Sequence, residues 1–129
     1  MRAADALEKI SREQSFLLRG YKTALLLLLG ETIQKEVRWH LALILPRLPL
    51  THSECLRIAD VLQSYTLDQS SIVKTFATQG LADLTDQCAS LRASVIDAIQ
   101  VLTKTGTPAM RARGRKLLEN LNDRKDRTC

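Results

Sequence analysis

One hydrophobic pattern recurs along this chain at a near-fixed spacing, and it limits the possible folds more than any other feature. Residues 36–48, EVRWHLALILPRL, lie over residues 71–84, SIVKTFATQGLADL, and over residues 108–121, PAMRARGRKLLENL. Val37, Val73 and Met110 share one column, and Arg38, Lys74 and Arg111 share the next. Leu41, Ala77 and Gly114 follow, then Leu45, Leu81 and Leu118, and last Leu48, Leu84 and Leu121. The offsets are 36 and 37 residues. Apolar or small residues in this register fall on one stripe of an α-helix, so each segment can bury a single face. Ala77 and Gly114 are small enough to let neighbouring helices approach closely. Ala3, Leu7 and Ile10 align with Leu41, Leu45 and Leu48 at an offset of 38, which predicts that the chain starts inside a helix.

Further helical stretches lie between the matched segments, over about 14–29, 52–67 and 90–105. Their boundaries carry physical signals. Thr51 and Glu54 have capping-box spacing, in which each side chain satisfies a free backbone N–H at a helix start. Ser70 or Ser71 can cap the next helix, and Gly106, Thr107 and Pro108 read as helix end, N-cap and first helical residue. Each unit is therefore a helix A, a short turn and a helix B. The units predicted are 1–12 (partial), 13–50, 51–87 and 88–122, within one domain over 1–129 and with 123–129 as a frayed tail.

Composition supports an all-α fold. Aromatic residues make up only 4% of the chain, which is low for a β-sandwich or barrel. Five Gly and three Pro leave few tight turns, and no run alternates polar and apolar residues over a strand's length. Cys55, Cys88 and Cys129 form no CxxC pair, and an odd count without a secretory signal points to a reducing, cytoplasmic setting. The apolar stretch 24–29 is flanked too closely by Arg19, Lys22 and Glu31 to make a membrane span of about 20 residues. No membrane association is expected.

With Val37-Arg38, Val73-Lys74 and Met110-Arg111 each followed by the small or apolar columns, the chain resembles the HEAT-repeat family, whose second helix often reads V-R-x-x-A-x-x-x-L-x-x-L. The resemblance covers nearly the whole chain and implies a short α-solenoid of about three and a half stacked helix pairs. It also implies that the B helices line an inner face. Ridge positions outside the apolar stripe would then be Trp39, Thr75 and Ala112 in one column and Leu43, Gln79 and Lys116 in another. Two departures stand out. The period is shorter than the roughly 40 to 47 residues of many such units, so the turns must be short. Pro46 removes a backbone donor inside a B helix and predicts a kink or an early end there.

Few residues suggest chemistry. Trp39, between Arg38 and His40, has the character of an interface anchor, set against the plainer reading of a half-buried ring packed on the next unit. Arg38, Lys74 and Arg111 either meet an anionic partner or hydrogen-bond between units with their stems over apolar surface. His52 and Cys55 share a helical turn, but zinc needs three or four ligands and no second pair accompanies them. Glu31, Glu36, Asp83 and Asp86 are ordinary surface carboxylates, and no Gly-rich phosphate loop is present. No cofactor or metal is expected.

Of the net charge of +5, the segment 111–127 carries +4, with seven basic residues against Glu119, Asp123 and Asp126. The expected function is a non-enzymatic interaction or scaffold module that binds another protein through Arg38, Trp39, Thr75, Gln79 and Lys116. One alternative is nucleic-acid binding through the basic C-terminal segment, with strong salt dependence. Another, allowed by the resemblance, is an enzyme-associated subunit similar to HEAT-like bilin lyases. The sequence does not specify an oligomeric state.

Overall fold

The computed structural model describes residues 22–128, and all regular structure among them is helical. The α-helices are α1 (Lys22–Glu31), α2 (Lys35–Ile44), α3 (His52–Tyr65), α4 (Ser71–Leu84), α5 (Arg92–Thr105) and α6 (Pro108–Thr128). Short 3-10 turns at Leu45–Arg47 and Ala89–Leu91 follow α2 and precede α5. The expected helical start around Ala3, Leu7 and Ile10 lies outside the described residues. So does the first part of the stretch expected over 14–29.

Local chemistry accounts for the boundaries. Thr51 Oγ1 accepts from the Glu54 N–H at 3.2 Å while Glu54 accepts from the Thr51 N–H at 2.9 Å, completing the capping box at the start of α3. Ser70, rather than Ser71, caps α4 by accepting from the Val73 N–H. Gly106 closes α5, and Thr107 Oγ1 accepts from the Met110 N–H as α6 begins at Pro108. Pro46 ends α2 early: the α-helix stops at Ile44 and the chain tightens into the 3-10 turn.

Consecutive helices pack as neighbours, α1 on α2, α3 on α4 and α5 on α6. α4 also packs along α2 on one side and along α6 on the other. Val37, Val73 and Met110 are buried, as are Leu41, Ala77 and Gly114, and Leu48, Leu84 and Leu121. The columns of α2 and α4, with Leu121 of α6, therefore join one continuous core. Close approach of α4 to α2 depends on Gly80, where an added Cβ would lie 2.4 Å from the Ala42 carbonyl oxygen. Gly114 does the same for α6 and α5, because a Cβ there would meet the Thr103 methyl at 2.3 Å. On the other side, α3 and α5 flank a cleft of about 630 Å³ floored by Lys74 and Thr78.

Polar ties join successive helix pairs. Arg38 donates from Nε to the Thr32 carbonyl at 2.9 Å and from Nη1 to Asp68 Oδ2 at 2.6 Å. Its guanidinium also lies 4.9 Å from the centre of the Tyr65 ring, whose hydroxyl donates to the Leu29 carbonyl. At the opposite end, the Gln87 amide donates to the carbonyls of Pro46 and Leu48 and accepts from the Leu50 N–H. One side chain thereby satisfies three backbone groups that the break after α2 leaves without helical partners.

Candidate interaction face

The candidate site is the face formed where α2, α4 and α6 lie side by side. Three residues after the Val/Met column, at the same offsets, stand His40, Phe76 and Arg113. Trp39 stacks on His40 with ring centres 3.6 Å apart and on Phe76 with centres 5.1 Å apart, at 27° between planes in both cases. The Arg113 guanidinium carbon lies 5.5 Å from the centre of the Phe76 ring, within cation–π range. A row of aromatic rings ending in a cation thus crosses three helices. Trp39 and Phe76 are half-buried, His40 is buried and Arg113 is exposed.

The residues predicted to bind do not all share this face in the way the columns implied. Trp39 lies in the row, packed against a ring of the next helix pair. Arg38 is committed to Thr32 and Asp68 and ties two pairs together. Burial opposes the charge of Asp68, but the Ser70 N–H and the Arg38 guanidinium outweigh it and hold the carboxyl below its ordinary value. Thr75 donates to the Ser71 carbonyl of its own helix. Gln79 donates to Asp83 at 3.1 Å and accepts from Arg113 at 3.5 Å. Lys116 is exposed and shares a cleft with Gln79, Arg113 and Asn120. Leu43, expected on a surface ridge, is instead 6% exposed.

His40, Phe76 and Arg113 were missed because their side chains share no chemical type, although their common spacing was the available signal. A ring, an imidazole and a guanidinium become related only when stacked.

The cysteines also pair differently from the sequence spacing. His52 Nδ1 lies 3.4 Å from Cys88 Sγ, and Cys88 lies 3.2 Å from Ser90 Oγ. Burial, with the nearby Cys88 and Glu54, pushes the Cys55 thiol above its ordinary pKa, which disfavours a nucleophilic thiolate there. Among the described residues, no group of three or more His, Cys, Asp or Glu is placed to hold a metal ion. No described helix is long and apolar enough to cross a membrane.

Compared with known proteins, the chain matches no family model, no curated protein and no solved structure.

Proposed function

We propose that the chain is a non-enzymatic protein-interaction module, a short α-solenoid of about three and a half HEAT-like repeats that offers the α2, α4 and α6 face to another protein. The observation that carries this reading is the Trp39–Phe76–Arg113 row, because half-buried aromatic rings beside an exposed arginine are the side chains that concentrate binding energy at protein interfaces. Side-by-side packing of α2, α4 and α6, with polar ties between successive pairs, supports the solenoid part of the reading.

The test is covalent capture followed by measured affinity. A photo-crosslinking amino acid at Thr75 identifies the polypeptide that covers the face, and the purified pair is then titrated. Trp39→Ala and Gln79→Ala are each expected to weaken binding by about tenfold, as loss of an interface anchor does. Unchanged affinity in both variants, or turnover of a small molecule by the purified chain alone, overturns the reading.

A second reading has one specific support. Arg111, Arg113, Arg115 and Lys116 are all exposed within two turns of α6, and such a cluster can neutralise nucleic-acid phosphates. It requires affinity for an oligonucleotide that falls steeply as salt rises.

A further inference from the structure

The face between α4 and α6 is a groove with two chemically different ends. At one end a cleft of about 250 Å³ is lined by Ile72, Phe76 and Met110, with Ser71, Thr75 and Thr107 in the same lining. At the other a cleft of about 300 Å³ is lined by Gln79, Lys116 and Asn120 together with the buried Leu117. Arg113 borders both. Its polar contacts are an amide at 3.5 Å and a ring face, and neither Arg113 nor Lys116 makes an ion pair among the described residues. The two cations are three residues apart on one helix, hence neighbours on its surface. The one carboxylate close by on α4, Asp83, accepts from the Gln79 amide.

We propose that this groove binds an acidic peptide segment of a partner protein, with a carboxylate on Arg113 and Lys116 and an adjacent apolar side chain in the Ile72, Phe76 and Met110 end. The proposal rests on the interaction reading above and names its partner's chemistry. Charge complementarity selects the acidic end, since two neighbouring cations without an ion pair suit a carboxylate better than any neutral group. The apolar end selects a peptide over a nucleic-acid strand. A phosphate backbone needs cations along its whole path, but Arg113 is the one cation in the lining of the apolar end. Lys74, the basic residue of α4, lines the cleft on the other side of the helix. Exposed Ile72 beside the adaptable Met110 offers an apolar side chain a seat where a phosphate has none.

Selection of a phage-displayed random dodecapeptide library on the full chain tests this, with enriched sequences made synthetically and measured by fluorescence anisotropy. Enrichment of Asp or Glu next to an apolar residue is expected. Arg113→Glu and Lys116→Glu should each weaken such a peptide by about tenfold or more. Arg115→Glu, with the same charge change on the same helix, should alter affinity by about twofold at most. Circular dichroism confirms that each variant is folded. Enriched peptides that lack acidic residues, or that bind both Glu variants at full strength, overturn the proposal while leaving the interaction reading intact. An empty selection overturns it, as does displacement of the peptide by oligothymidylate at physiological salt, which would favour nucleic acid.

Discussion

At the scale of single residues, the Arg38–Asp68 pair shows how an interior tie differs from a surface ion pair. The Arg38 and Asp68 side chains are 27% and 14% exposed, so neither charge is well hydrated. Arg38 is also anchored by Thr32 and by the Tyr65 ring, which fixes the guanidinium before the carboxylate is met. Removal of Arg38 leaves both the Asp68 carboxylate and the Thr32 carbonyl short of a donor. Arg38→Ala should therefore cost about 2 kcal/mol of unfolding free energy, the scale of a hydrogen bond to a charged group. The pH dependence has a definite sign. A carboxyl held below its ordinary pKa stabilises the fold while charged, so its contribution is complete above about pH 5 and is lost in acid as Asp68 is protonated in both states. Glu54, lowered first by the Thr51 backbone N–H and then by Lys22, acts in the same direction. Urea unfolding of Asp68→Asn should show a larger deficit at about pH 7 than at about pH 3, as the wild type loses its advantage in acid. A deficit of equal size at both pH values would show that the carboxylate's charge plays no part.

At the scale of helices, the same substitution should have opposite effects at two glycines. Gly80 sits where α4 presses on α2, and an alanine methyl there would lie 2.4 Å from the Ala42 carbonyl oxygen and 3.1 Å from Leu62 Cδ1. The helices must separate to accept it, and overpacking of this kind costs about 1–3 kcal/mol, more than the gain of about 1 kcal/mol in helix propensity. Gly30, in α1, has nothing within 4 Å of the same position. Gly30→Ala should raise the melting temperature, and Gly80→Ala should lower it. Thr51→Ala, which removes half of the capping box of α3, should cost about 1 kcal/mol in chemical denaturation.

These contacts also mark how far the sequence could be read. The caps at Thr51 and Ser70, the break at Pro46 and the buried columns were legible because each depends on residues a few positions apart along one helix. Gly80, Gln87 and the pairing of Cys88 with His52 were not legible, since each depends on which helix lies opposite. The same limit applies to the candidate face. Gln79 and Lys116 were singled out from position and Trp39 from position and residue type, whereas Phe76 and Arg113 acquire meaning from the ring and the helix beside them.

At the scale of the whole molecule, the proposed stack treats its successive B helices differently at equivalent positions. Five residues after the Val/Met column, Ala42 and Thr78 are fully buried, while Arg115 in the same column of α6 is exposed. Four residues further on, Pro46 and Ala82 are buried and Glu119 is exposed. α6 therefore presents charge to solvent where α2 and α4 are buried. In a solenoid, each pair leaves an apolar side for the next, and a terminal pair stays monomeric by making that side polar. Giving α6 the residues of α4, through Arg115→Thr with Glu119→Ala, removes that protection while keeping the helix. The double variant should retain its helical circular dichroism but self-associate, with a sedimentation coefficient that rises more steeply with concentration than that of the wild type. Identical sedimentation of the two proteins would show that these charges do not terminate a stack. In that case the polar columns of α6 would be an ordinary solvated helix surface, and the equivalence of α2, α4 and α6 would extend to their cores alone.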